Sequence, residues 1–339
     1  MTSLKNEIYI YVSEYKRFKS EALENIDQLK ASADEKVRIK KDYTKSLIRY
    51  RVTFNEYYFQ YMFQNLSAKE RKKFISRSEM QKIYRKFGNS DVRDIFMNKK
   101  KFLETFNSYI KRKWIMWNRN SAIDELEEIM RNNDCIIKPV SGSLGIGVKK
   151  ICKNMISDYH EFVNSQLSAG DYLIEECVEA CPEIAEFHPA SLNTIRVVTF
   201  SNGGKADVFG AFLRLGNNNS NVDNAHAGGI FAQIDVDTGL IVSDGIDTDN
   251  NRYEFHPITK KKIKGFQIPK WDEIKNMCLS ATNVIPNIHF AGWDVAIRKD
   301  GDLEFIEGNH APDFDVMQSP LNIGVRQKVF SWLDKFNIR

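Results

Sequence analysis

The chain has 339 residues, 42% hydrophobic and 28% charged, with 8 Pro and 18 Gly, which excludes collagen-like and low-complexity chains. It shows no apolar run of about 18 residues, no apolar secretion-signal core at its N-terminus, and an odd number of Cys, so a reduced, cytoplasmic protein is expected. The net charge of +4 divides into +14 over residues 1–120 and −10 over the remainder, which suggests two jobs.

Residues 1–88 read as a basic helical region. Neither Pro nor Gly occurs between Leu4 and Phe87, and apolar residues recur at three- and four-residue intervals, as at Ile8, Tyr11, Tyr15 and Phe18. Two readings stand side by side. One is an apolar stripe packed on the protein beneath a solvated charged face. The other is an electrostatic dock for an anionic partner, such as a lipid-linked phosphate, an acidic glycan or the inner face of a membrane, where the protein would be peripheral. Zinc-finger spacing and RNP-type sequences are missing, so nucleic acid is not an expected partner.

From about residue 121 the texture changes to β-branched runs bounded by Gly, Asn, Asp and Pro. Strands are predicted at 135–140, 147–151, 172–176, 194–200, 206–213, 229–236, 290–297 and 303–307, and helices at 121–132, 154–168, 271–281 and 320–336. Strand runs with interspersed helices indicate an α+β class.

The stretch 134–151 crowds Gly142, Gly145 and Gly147 into a loop with Ser141 and Ser143. Such a loop lets backbone N–H groups approach phosphate oxygens. It lacks the Lys-Ser/Thr ending of a P-loop, and a strand rather than a helix follows it, so it reads as a Gly-rich hairpin over a nucleotide. Lys138, in the apolar strand before it, needs an anionic partner, which a phosphate would supply. In the segment 172–183, a strand ends in Glu175-Glu176 and is followed by Val178 and Glu183; its backbone could read an adenine edge, with Glu183 on ribose. Arg196, in TIRVVTF, is a cation in an apolar strand and suits a phosphate or an internal carboxylate. His226 lies in NAHAGG, whose Gly228 and Gly229 precede a strand, and is a candidate substrate-loop residue. Cys177 and Cys181 have no second Cys/His pair at zinc spacing, and there is no Ser-nucleophile elbow.

The most informative stretch is FAGWDVAIRKDGDLEFIEGN, 290–309. With Asp300-Gly301 as a two-residue hairpin turn, Asp294 faces Glu307 across the ladder and Asn309 follows on the same face. Opposed acids have Cβ atoms roughly 5 Å apart and repel, unless one is protonated or a cation lies between them. Two carboxylates and an amide oxygen suit Mg²⁺; two solvated acids on an exposed hairpin face are the other reading.

In this order, a strand Lys, a Gly-rich hairpin, a Glu-Glu-x-Val segment, an Arg strand and an Asp…Glu-x-Asn cluster resemble the ATP-grasp superfamily. More narrowly, HPASLNTIRVVTF (188–200), VDNAHAGGIFAQIDVDTG (222–239), GWDVAI (292–297) and FIEGNHAPDFDVMQ (305–318) resemble the sugar-transfer-associated ATP-grasp family, over roughly residues 90–335. The resemblance implies an ATP-grasp fold, two α+β subdomains clasping ATP, behind a helical N-terminal region. It divides the chain into 1–88, a subdomain remnant at 89–120, a subdomain with the Gly-rich hairpin and adenine segment at 121–185, and a subdomain with the metal site at 186–339. It also implies roles. Lys138 and Lys99 (with Lys100 as rival; Asn98 stands where the family has Asp) would bind phosphates under the loop from Ser141 to Gly147. Glu175, with the backbone of Glu176 and Val178, would hold adenine, and Glu183 the ribose. Arg196 and Arg214 would act at the γ-phosphate, and Asp294, Glu307 and Asn309 would ligate Mg²⁺. The implied activity is an ATP-dependent carboxylate–amine ligase working through an acyl phosphate. Its substrates would be an amino acid or small acid and an amino-sugar or glycan acceptor, in surface-polysaccharide assembly. A sugar or polyol kinase and a non-catalytic ATP-binding module are the alternatives.

Overall fold

The computed structural model describes residues 2–87, 90–140, 147–167, 170–218, 223, 228–286 and 288–336. The chain divides into two compact units, Met1–Phe87 with Asp313–Arg339, and Gly88–Pro312. The last segment of the chain thus groups with the N-terminal helices, whereas the sequence reading kept 186–339 together.

The first unit is helical. Its helices Thr2–Gln28 and Ala33–Tyr50 are separated at Ser32, whose hydroxyl accepts from Glu35 N (3.2 Å) and so caps the second. Tyr43, Phe54, Tyr57, Tyr61, Phe63 and Phe74 form its aromatic core. The helix predicted at 320–336 is shorter, Arg326–Lys335, after a separate turn at Asp315–Gln318. Asn322 is left-handed (φ +51°), and a side chain at Gly324 would collide with the Lys73 backbone. Among the described residues, no helix is long and apolar enough to cross a membrane.

Among its described residues, the second unit carries two antiparallel sheets. The smaller contains β1 (Trp114–Trp117), β2 (Cys135–Pro139), β3 (Lys149–Ile151) and β4 (Tyr172–Glu176), in the order β1-β4-β2-β3. The helix Ile123–Asn132 buries Leu126, Ile129 and Met130 in the cluster that also holds Cys135, Ile137 and Ile174. The strand β1 went unread, because its four residues sit among the lysines and arginines of the basic front. The helix predicted at 154–168 is interrupted: a 3₁₀ turn at Lys153–Met155 ends, and Asp158 restarts the chain by accepting from His160 N and Glu161 N.

The larger sheet contains β5 (Thr194–Asn202), β6 (Lys205–Leu215), β7 (Ile230–Ile234), β8 (Gly245–Ile246), β9 (Arg252–Tyr253), β10 (Phe290–Ile297) and β11 (Leu303–Asn309), in the order β11-β10-β5-β6-β7-β8-β9. Every residue of β10 is buried. Trp293 of β10 stacks on Phe305, with Phe96 and Phe106 against its ring. The helix Trp271–Ala281 contributes Trp271, Ile274 and Cys278 to the same core.

Candidate active site

The β10–β11 hairpin pairs Asp294 with Glu307, but by a different path from the predicted two-residue turn. Next to the turn the partners are Ile297–Leu303, Ala296–Glu304 and Val295–Phe305. Arg298 N donates to Asp302 O (2.8 Å), Gly301 N donates to Arg298 O (2.9 Å), and Gly301 is left-handed (φ +88°). These mark a three-residue loop, Lys299 to Gly301. Such a loop alone would set Asp294 opposite Ile306 and turn Glu307 to the other face. A β-bulge at Ile306 absorbs one residue and restores the Asp294–Glu307 pair.

Across the sheet the same row continues, since Asp294 pairs with Arg196 of β5 and Arg196 with Phe212 of β6. Arg214, two residues along β6, shares that face. Asp294 is 1% exposed, and its carboxylate accepts from Arg196 Nε, from Arg196 Nη2 (2.7 Å) and from Arg214 Nη1. Burial opposes its ionisation, yet the two guanidiniums outweigh burial and hold its pKa far below the carboxylate range. Glu307 lies within 3.8 Å of Arg196 Nη2 and 4.0 Å of Arg214 Nη1. Its side chain is 64% accessible, so solvent screens its charge more than that of Asp294. Burial of its surroundings and the negative Asp294 raise its pKa against the pull of the arginines.

Two glycines make this row fit. A Cβ on Gly292 would press on Arg196 Cδ (3.2 Å) and Pro312 (3.1 Å), so its absence leaves the arginine room to reach Asp294. A Cβ on Gly308, between Glu307 and Asn309, would meet ring atoms of Phe96 and Phe102 at 2.5 Å.

Two lysines come next, Lys138 on β2 and Lys99 in the first turn of the helix Lys99–Thr105. Lys138 of β2 pairs with the carboxylate of Glu175 on β4. Lys99 donates to Pro139 O (3.0 Å) and Val140 O (3.4 Å), and burial, then the charge of Lys138, lower its pKa. Two ammonium groups that feel each other's charge favour an anion beside them. Glu175 is 2% exposed and is held from its other side by Arg112 Nε (2.6 Å). Burial opposes its charge, but Arg112 and Lys138 bring its pKa down to about 2. With both oxygens engaged, its side chain orients Lys138 rather than facing a base, which differs from the expected adenine contact. Glu176 accepts from Lys113 N (3.2 Å), Val178 is half-buried, and Glu183 is exposed at the start of the short helix Pro182–Ala185.

Residues 71–331 match the model of the sugar-transfer associated ATP-grasp family. The chain belongs to this family. No curated protein matches it. Among solved structures it is similar to the ATP-grasp ligase PsnB complexed with minimal precursor, Mg and ADP (16% identity, 74% of this chain and 62% of that one, TM-score 0.44). It is also similar to an L-amino acid ligase from Bacillus licheniformis (14%, 66% and 42%, TM-score 0.41). A third is the D-alanine–D-alanine ligase from Bacillus anthracis (14%, 72% and 68%, TM-score 0.42). The chain thus spans under two thirds of the length of PsnB.

As an ATP-grasp protein, the chain has the expected mixed fold of two sheets behind a helical N-terminal region, and the family match begins earlier than the sequence resemblance, inside the helices. Ser141, Gly142, Ser143 and Gly145 of the expected phosphate loop, and His226, lie outside the described residues. Gly147 closes the loop with φ +77°, and Gly228 (φ +82°) and buried Gly229 lead into β7. Asp223, which sequence reasoning passed over, joins the arginine row: it accepts from Thr194 N (3.0 Å), from Thr194 Oγ1 and from Arg214 Nη2 (3.2 Å). Its place next to the NAHAGG run was the available signal.

Asp294, Glu307 and Asn309 form a hard, all-oxygen donor set suited to Mg²⁺. Glu307 is accessible; Asn309 Oδ1 accepts from Ala311 N (2.9 Å) and keeps a second lone pair. Asp294 is shared between two guanidiniums, so a cation there would compete with them for its oxygens. Among the described residues, no group of three or more His, Cys, Asp and Glu is placed to hold a metal, so any Mg²⁺ site here needs the Asn oxygen and phosphate oxygens to complete it.

Proposed function

We propose that this protein is an ATP-dependent, Mg²⁺-requiring carboxylate–amine ligase that joins an amino acid or related small acid to an amino sugar or glycan acceptor in surface-polysaccharide assembly. The observation that carries this reading is the Glu307–Asp294–Arg196 row with Arg214 beside it, in a member of a sugar-transfer associated ATP-grasp family. Lys138 and Lys99 would hold phosphate oxygens, and the loop from Ser141 to Gly147 would cover them. Backbone groups at Glu176 and Val178 would take adenine, and Glu183 the ribose. Asp294, Glu307 and Asn309 would hold Mg²⁺, which when bound neutralises phosphate charge.

The chemistry follows from the charges. A substrate carboxylate oxygen attacks the γ-phosphorus, ADP leaves, and an acyl phosphate forms. The acceptor amine then attacks the acyl carbon, phosphate departs, and the amine loses its proton. Arg196 and Arg214 neutralise negative charge as two anions are brought together, and losing one such donor commonly costs about 10²–10³ in rate. His226, Gly228 and Gly229 would border the acceptor. The basic region 1–88 would favour an anionic nucleotide-sugar, lipid-linked or membrane-surface acceptor.

An ADP-release screen of carboxylic acids crossed with amino sugars, followed by mass spectrometry, tests the proposal. A product lighter than its summed substrates by one water supports the ligase. A product carrying an added phosphoryl group instead identifies a kinase, and nucleotide binding without ADP identifies a non-catalytic module.

A further inference from the structure

Arg112, named above only as the partner of Glu175, reaches both sheets of the site. It is buried, and its guanidinium is fully engaged: Nε donates to Glu175 (2.6 Å), Nη1 to Glu304 Oε2 (3.0 Å) and to Phe305 O (2.7 Å), and Nη2 to Ile306 O (3.1 Å). Its backbone N–H also donates to Glu304 (3.2 Å). Glu304 is wholly buried and accepts from Arg298 (2.7 Å) on its other oxygen. A continuous chain of alternating charge therefore runs Lys138–Glu175–Arg112–Glu304–Arg298, from the smaller sheet to the larger.

The two carbonyls that Arg112 binds belong to the bulge. Phe305 is the last residue in the turn-side register, and Ile306 is the extra residue that brings Glu307 opposite Asp294. A bulge leaves backbone carbonyls without ladder partners, and a planar guanidinium with divergent donors suits two adjacent ones. A lysine ammonium is a compact point donor with no fixed fork, and cannot keep the same set of contacts.

We propose that Arg112 is the positioning residue of the nucleotide site: through Glu175 it fixes Lys138, and through the Phe305 and Ile306 carbonyls it holds the bulge that places Glu307 beside Asp294. This rests on the reading that the site binds Mg²⁺ and ATP. The arginine touches neither; it sets the geometry of groups that do. Its two arms are separable. Loss of the bulge arm weakens the response to Mg²⁺, and loss of the Glu175 arm weakens ATP binding itself.

The test begins with the wild-type protein, titrated with a nonhydrolysable ATP analogue at varied Mg²⁺. Failure to bind overturns the nucleotide reading, and this proposal with it. With binding established, Arg112→Lys is expected to raise the apparent Mg²⁺ constant about ten-fold or more, the size of effect typical of groups that orient metal ligands. Glu175→Gln is expected to raise the analogue constant while leaving the apparent Mg²⁺ constant within about two-fold of wild type, and it carries the test alone if Arg112→Lys does not fold. Arg298→Gln, which touches the same charge chain but neither the bulge nor Lys138, is the stability control, with melting lowered and both constants unchanged. Folded Arg112→Lys with a wild-type Mg²⁺ constant, or folded Glu175→Gln with a wild-type analogue constant, overturns the proposal. So does an Arg298→Gln variant that shifts the constants as much as Arg112→Lys.

Discussion

Replacing Glu175 by Gln should destabilise the unit Gly88–Pro312 in a strongly pH-dependent way. The carboxylate is 2% exposed and lies between Arg112 and Lys138, which bring its pKa from 4.5 to about 2 against the opposing effect of burial. A folded-state pKa below the unfolded one means that the unfolded chain binds the proton more readily. The stabilisation is therefore complete well above pH 4.5 and is lost as pH falls toward 2. The depression corresponds to roughly 3 kcal/mol at pH 7 and to less than half of that at pH 3. For a unit of this size, each kcal/mol moves the melting temperature by about 2–4 °C, so the variant should melt about 6–12 °C below wild type at pH 7. Calorimetric melts of both proteins at pH 7 and pH 3 read this directly. A gap that is absent at pH 7, or as wide at pH 3 as at pH 7, would show that Arg112 and Lys138 do not stabilise the Glu175 carboxylate.

Glu56, buried in the helical unit, has a pKa raised to about 7 by burial, against the backbone N–H groups of Thr53 and Arg77. Here the folded state holds the proton more tightly, so stability present below pH 4.5 should decline by roughly 3 kcal/mol as pH rises to 7 and then level off. Melts of the Met1–Phe87 and Asp313–Arg339 unit from pH 5 to 8 should show that slope, and Glu56→Gln should flatten it. Asp294→Asn leaves Arg196 and Arg214 facing each other without their shared carboxylate; truncating one partner of such a buried ion pair costs about 3–5 kcal/mol, visible in urea unfolding. Gly308→Ala places a methyl against Phe96 and Phe102 and should cost about 1–3 kcal/mol by the same assay.

The strands were legible where chemistry is local. The limits of β10 follow from an apolar run broken only by Asp294 and bounded by Arg298, and those of β4 from its five-residue apolar-to-acidic pattern. The Asp294–Glu307 pair was read correctly from a wrong turn, because one extra loop residue and one bulge residue cancel. Neither can be seen in the DGD or FIE residues alone, since the bulge carbonyls are held by an arginine far back in the chain. Arg112 itself sits in a KRK run that reads as a solvated basic patch, and only its tertiary partners set it apart. Asp223 was hidden in the same way, its meaning coming from Arg214 and Thr194 across the sheet.

On the proposed reading, the acid pair of the β10–β11 hairpin couples Mg²⁺ to a triphosphate. Isothermal calorimetry with a nonhydrolysable ATP analogue, in Mg²⁺ and in EDTA, on wild type and Glu307→Gln, tests it most directly. Binding should strengthen with Mg²⁺ in wild type and lose at least ten-fold of that gain in the variant, the scale typical of disturbing a metal site. Equal affinity in Mg²⁺ and EDTA, or a variant with the wild-type Mg²⁺ gain, would contradict it.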